Sequence, residues 1–220
     1  DHHRKMVGHI DTATIFYHEP YASSASELVS ELLQHITDQK QQGVPRAEAE
    51  ALLAGIMLDT RTFSLHVGVR TFEAAAYLRR MGAQTGEVKK MFATTLDDYI
   101  NRANLVSDAE MVDGCAVVLS EELPADGEVV IAQAANDLLT IEDVQASFVA
   151  VQQGREVRIS ARSMGEVNVQ LVMEKLGGGG HLTMAGAQIQ DADLEEVRER
   201  LLDAIAEYRQ EASTAVQPNE

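Results

Sequence analysis

The stretch 159–188, ISARSMGEVNVQLVMEKLGGGGHLTMAGAQ, decides how the fold is read. Within it Gly177, Gly178, Gly179 and Gly180 stand in a row, with His181 directly after them. Four ordered glycines cost backbone entropy, and packing alone is a poor reason for them. Lacking side chains, they let the main chain approach a ligand closely and turn N–H groups toward an anion or a base edge. The plain alternative is a flexible linker. Its flanks argue against that: NVQLVMEKL (168–176) has helical periodicity and AGAQI (185–189) reads as a strand. The run is therefore read as a tight loop inside a domain, with His181 placed to hydrogen-bond whatever lies there.

Working outward, Glu156–Ala161 alternates apolar and polar residues after a turn at Gly154, and Ser160-Ala161-Arg162-Ser163 leaves that strand. Arginine among hydroxyls suits bidentate phosphate recognition. A solvated surface arginine is the plain reading of the same residues standing alone. Ala146–Gln152 and Cys115–Ser120 read as strands, Val129–Leu139 and Leu194–Glu211 as helices. The texture changes around Asp113-Gly114. Before it, Thr12–His18 (TATIFYH) reads as a short buried strand, and the rest is helical. Helices are predicted from Ser23 or Ser24, with Glu27 at capping-box spacing, and over Pro45–Leu58, Thr71–Met81, Glu87–Ala93 and Leu96–Ala109. The organisation expected is α/β in two domains, residues 1–110 and 111–212, with 213–220 as a frayed tail.

Composition narrows the function. Thirty-five acidic residues against eighteen basic ones give a formal charge of −17, which repels polyphosphate backbones and argues against a duplex nucleic-acid binder. A small anionic ligand stays open if metal ions or a local basic pocket offset that field. Cys115 is the one cysteine, so neither a disulfide framework nor a thiolate zinc site can be built, and a reducing cytoplasm fits. No apolar run approaches the ~18 residues of a membrane span. The chain opens on Asp1-His2-His3-Arg4-Lys5 without a methionine, and is expected to be cut from a longer one.

Two further groups carry metal-ligand chemistry. Asp1, His2 and His3 put a carboxylate beside two imidazoles, donors suited to a divalent ion; a solvated chain end is the alternative. Asp59, in GIMLDTRTF (55–63), follows an apolar helix directly, where a buried carboxylate needs a hydrogen bond or a metal. A helix-end residue bonded to its own backbone reads equally well.

Together these residues resemble the DHH phosphoesterase superfamily, which includes RecJ-like nucleases, nano-RNases and inorganic pyrophosphatases. DHH is its name-giving motif, GIMLDT resembles a later metal-binding motif, and GGGGH is the signature of the DHH-associated domain. The strings SSASELVSELL, ALLAGIMLDT, GVRTFEAAAYLRRMGA and ISARSMGEVNVQLVMEKLGGGGHLTMAGAQ are most similar to GdpP-type cyclic di-AMP phosphodiesterases, from Asp1 to about Tyr208.

The resemblance implies a manganese-dependent hydrolase that opens cyclic di-AMP to linear pApA by two-metal, in-line attack. It makes His2 and Asp59 metal ligands. His3 then stands beside the scissile phosphate as general acid, with Asp1 supporting it. Ser23 and Ser24 fall near the phosphate cleft, while Arg162, Gly177–Gly180 and His181 grip the far side of the nucleotide. It also implies that the first domain is the mostly helical remainder of a truncated DHH domain, followed by a smaller mixed-sheet domain. The family's HxDxD cluster is expected upstream, so the chain alone is expected to be inactive or nearly so. Implied partners are the cyclic dinucleotide, upstream domains of a parent tethered to the membrane and facing the cytoplasm, and a second copy in a homodimer. A nano-RNase acting on short RNA or pApA, and a nucleotide-binding module without catalysis, are the rival readings.

Overall fold

Ser23, Ser24 and Glu27 show how the first helix begins. The Ser24 hydroxyl accepts the Glu27 N–H at 3.0 Å, while the Glu27 carboxylate reaches back to the Ser23 N–H (3.3 Å) and hydroxyl (2.5 Å). This reciprocal cap satisfies donors that the first helical turn leaves without partners. In the computed structural model, which describes residues 1–3, 12–40, 43–121 and 127–215, the chain divides into two compact units, Asp1–Ala93 and Thr94–Glu220.

The first unit contains α1 (Ala25–Lys40), α2 (Arg46–Asp59), α3 (Val69–Arg80) and α4 (Thr85–Met91). Leu53 and Ile56 of α2 bury against Ala74, Tyr77 and Leu78 of α3 and Val88 of α4. Glu27 is 2% exposed, and Thr71 at the start of α3 donates to its carboxylate at 2.6 Å. One buried carboxylate thus ties the starts of two helices together. The strand expected over Thr12–His18 is not formed. Ile15 is 87% exposed, and Phe16 and Tyr17 are also open to solvent. A strand needs a neighbour to take its N–H and C=O groups, and no strand is present among the described residues of this unit.

The second unit runs α5 (Leu96–Ser107), β1 (Glu110–Val112), β2 (Cys115–Ser120), α6 (Gly127–Leu138), β3 (Ala146–Gln153), β4 (Glu156–Ser163), α7 (Val169–Lys175), β5 (Gly179–His181), β6 (Met184–Gln190) and α8 (Leu194–Ala215). The six strands form one sheet in the order β1-β2-β3-β4-β6-β5. β2 and β3 pair in parallel across α6, and every other pair is antiparallel. The fold class is therefore α/β with a mixed sheet. β1 was not foreseen from its three residues; it pairs with β2 across Asp113-Gly114, both at positive φ (48° and 74°), as a two-residue hairpin turn requires. α5 lies in the second unit because Leu105 packs with Ala134, Ala135 and Leu138 of α6, so the division falls before this helix and not near 110.

Two cores sandwich the sheet. α7 and α8 cover one face through Val172, Met173, Val197 and Leu201 over Phe148, Val157 and Ile159. α5 and α6 cover the other face over Ala116, Val118, Val149 and Val151. β3 is buried on both sides, whereas β4 alternates, with Val157, Ile159 and Ala161 turned into the first core. Arg158, Ser160 and Arg162 therefore lie on the opposite face, beside α6.

Candidate functional site

The predicted site residues fall into two groups, one in each unit. In the first, the His2 Nε2 lies 3.7 Å from the Asp59 Oδ2, and the His3 Nδ1 bonds the Asp1 Oδ1 at 2.8 Å. The two imidazoles sit 4.3 Å apart, tilted by 56°. The Asp1 carboxylate also accepts the His3 backbone N–H at 3.1 Å, and the His3 carbonyl meets the His18 Nε2 at 2.6 Å. These contacts hold the DHH segment in place. Burial pushes the His2 imidazole below its ordinary value and the neighbouring His3 adds to this, against an upward pull from Asp59. His2 is thereby held toward the neutral form that binds metal.

Asp59 ends α2, and the backbone after it is unusual. Arg61, Thr62 and Phe63 all have positive φ (46°, 56° and 63°), a left-handed run that non-glycine residues rarely adopt. Thr60 anchors this turn: its hydroxyl donates to the Ile56 carbonyl at 2.7 Å and accepts the Phe63 N–H at 3.0 Å. The turn is held by its own bonds, and the Asp59 side chain is left facing His2. Ser23 and Ser24 are buried, their hydroxyls engaged in the α1 cap.

The His2–Asp59 pair offers one imidazole nitrogen and one carboxylate oxygen, a donor set that suits a divalent ion such as Mn²⁺. At 3.7 Å apart, both atoms can touch a single cation. Among the described residues no third histidine, cysteine or carboxylate joins them, so the pair by itself would furnish only part of a coordination shell.

In the second unit, strand register assembles the site. Arg162 of β4, Met184 of β6 and His181 of β5 are neighbours in one row across the strands. Ser160, Gly186 and Gly179 form the next row, and Arg158 with Gln188 the row beyond. The middle row has almost no side chains, so it is the floor of a cleft of about 580 Å³, which Glu128 and Ile131 of α6 help to line. The Arg162 guanidinium donates to the Ala161 carbonyl at 2.8 Å.

The glycine run has several distinct tasks. A Cβ on Gly178 would lie 2.2 Å from the Gly186 carbonyl oxygen, and one on Gly180 2.5 Å from the Ala185 Cα, so both are needed for close pairing with β6. Gly177 has φ +79° where α7 ends. Gly177 and Gly179 both line the cleft with open space where a side chain would go, but of these two only Gly179 lies outside the positive-φ region and could carry a side chain without backbone strain. The N–H groups of Gly177 and Gly178 already donate to the carbonyls of Glu174 and Met173, which narrows the expectation of a loop aiming several N–H groups at a ligand. Part of the run is strand β5. Sequence reading missed Glu128, Arg158, Gly186 and Gln188; the alternation that places Arg158 with Ser160 and Arg162 was a usable signal for one of them.

Residues 118–211 match the DHHA1 domain family. Over 210 residues, 94% of its length, the chain is 47% identical to the cyclic-di-AMP phosphodiesterase GdpP of Geobacillus thermodenitrificans. Over 214 residues it is 48% identical to the cyclic-di-AMP phosphodiesterase GdpP of Bacillus subtilis. The chain spans 32% of each of these relatives. Among solved structures, an exopolyphosphatase-related protein from Bacteroides fragilis shares the fold at a TM-score of 0.81 and 21% identity, over 96% of this chain and 63% of that one.

Proposed function

We infer that this chain, whose residues 118–211 match the DHHA1 domain family, is part of a DHH-superfamily phosphodiesterase that opens cyclic di-AMP to linear pApA. The observation that carries the reading is the floor of the cleft, made of two glycines and a serine and flanked in register by Arg162 and His181, within residues 118–211. A nucleotide laid on that floor meets a guanidinium suited to its phosphate and an imidazole able to hydrogen-bond it.

In this reading His2 and Asp59 hold divalent metal, Mn²⁺, with two ions in the complete site. Bound metal supplies Lewis acidity that offsets charge on the phosphate oxygens. The residues around it orient and move protons. Asp1 binds the Nδ1 of His3 at 2.8 Å, which fixes the ring; in its doubly protonated imidazolium form His3 would give the Nε2 proton to the departing 3′ oxygen and return to the neutral ring. Arg162 grips phosphate oxygens electrostatically, and its position on a strand of the sheet costs no reorganisation during reaction. Ser23 and Ser24 serve by building the α1 cap close to the DHH segment, since their hydroxyls are already bonded.

No helix among the described residues is long and apolar enough to cross a membrane. We place this part of the protein in the cytoplasm, tethered through other segments of a longer parent, with the cyclic dinucleotide as its partner and a homodimer as its assembly. The net charge of −17 disfavours duplex nucleic acid as substrate.

The test is Mn²⁺-dependent turnover of cyclic di-AMP by the full-length protein that contains this chain. H2A and D59A should abolish it, and D1N should lower it by about 10- to 100-fold, the usual effect of removing an orienting partner. Faster turnover of pApA than of the cyclic dinucleotide would instead favour a nano-RNase. Tight nucleotide binding with no turnover in the wild type would leave a sensor module.

A further inference from the structure

Arg158 and Gln188 stand opposite each other in register at one wall of the cleft. Both types of side chain read purines, in different ways. An arginine fork donates two hydrogen bonds to the O6 and N7 of guanine, whereas a glutamine amide accepts from N6 and donates to N7 of adenine. The structure treats the two residues unequally. Arg158 is 27% exposed and clamped by two carboxylates: its Nε bonds the Glu156 Oε1 at 2.5 Å, and its Nη1 contacts the Glu128 Oε1. Glu156 is itself held by the Gln190 amide. Gln188 is exposed to the cleft and has no side-chain hydrogen bond among the described residues.

The spacing fits one nucleotide. Arg162 and Arg158 are four residues apart on one strand, ~13 Å at about 3.3 Å per residue, with the floor of Ser160, Gly186 and Gly179 between them. A phosphate held at Arg162 places the far edge of its base toward Gln188. A base lying there also meets the carboxylate of Glu128, which accepts hydrogen bonds. On the edge that a glutamine amide reads, where N7 is common to both purines, that carboxylate suits the N6 amine of adenine and repels the O6 of guanine.

We propose that Gln188 is the adenine-reading residue of this cleft, and that the Glu128–Arg158–Glu156 clamp excludes guanine by keeping the adjacent arginine occupied. The proposal deepens the cyclic di-AMP reading and rests on it.

Binding of the linear dinucleotides pApA and pGpG to the intact chain, measured by calorimetry, tests it. The wild type should prefer pApA. Q188L should weaken pApA by about tenfold and leave pGpG unchanged, the size expected for one bidentate base contact. E128Q, which keeps the shape but not the charge of an exposed side chain, should strengthen pGpG severalfold by releasing Arg158. Equal affinity of the wild type for both dinucleotides, or equal weakening of both by Q188L, would overturn the assignment while leaving the cleft as a nucleotide site. An E128Q variant with unchanged pGpG affinity would overturn the clamp. If the wild type bound neither dinucleotide, the nucleotide reading of the cleft would fall first and take this assignment with it.

Discussion

Adjacent glycines in this chain answer to different forces. Gly178 and Gly180 face the backbone of β6, where a methyl group would sit within 2.2 and 2.5 Å of existing atoms. Gly179 faces open space in the cleft. Alanine at 178 or 180 should destabilise the fold by about 1–3 kcal/mol through overpacking of the β5–β6 pair. Alanine at 179 should leave the melting temperature unchanged but weaken pApA binding by occupying the floor. Thermal melts and calorimetry on the three variants would show it. A G178A protein as stable as wild type would contradict the close strand approach, and a G179A protein with undiminished affinity would move the ligand elsewhere. The motif GGGGH was legible in the sequence as a candidate site. Its division into glycines crowded against β6 and a glycine open to the cleft was not, because that depends on Gly186 and Ala185 coming to lie beside it.

Among elements, α1 and α3 are joined by two carboxylates of unlike character. Glu27 is buried and bonded to Ser23 and Thr71; Glu31, one turn on, meets the Arg70 guanidinium at 2.7 Å near the surface. The Arg70 hydrogen bond, helped by its charge, holds the Glu31 carboxyl below its ordinary 4.5. A carboxylate whose folded value is depressed stabilises the fold above its unfolded value and loses that contribution as pH falls through the folded one. The Arg70–Glu31 tie is therefore complete above about pH 4.5 and fades in more acidic solution. Since Glu31 is 23% and Arg70 45% exposed, it is worth at most about 1 kcal/mol. Urea denaturation at pH 7 and pH 3 should show R70M less stable than wild type at the first and the gap narrowed at the second. A gap of the same size at both would mean that packing, not charge, joins these helices. The helices themselves were readable from capping residues and apolar spacing. The Thr12–His18 segment was misread because β-branched and aromatic composition measures fitness for a sheet, and no strand is there to pair with it.

At the scale of the molecule, both cores of the second unit lie within residues 94–220, which also contain every residue of the cleft. That segment expressed alone should unfold in one cooperative transition and bind pApA about as tightly as the longer chain. A noncooperative melt would show that the first unit is needed to complete its core. The sequence by itself determined the helices and the longer strands of this protein, and which short strings are candidate sites. Periodicity, caps and turn residues act over a few positions, and DHH, GIMLDT, SAR and GGGGH are each read from adjacent residues. The tertiary structure alone decided which of those residues meet. Pairing Ser160 with Gly186 and Gly186 with Gly179 sets Arg162 beside Met184 and His181, and Arg158 beside Gln188. A slip of one residue would turn the whole set to the other face of the sheet, and what prevents it is burial of Val157, Ile159 and Ala161 against α7 and α8. Register follows from long-range burial, which no local stretch of the chain encodes.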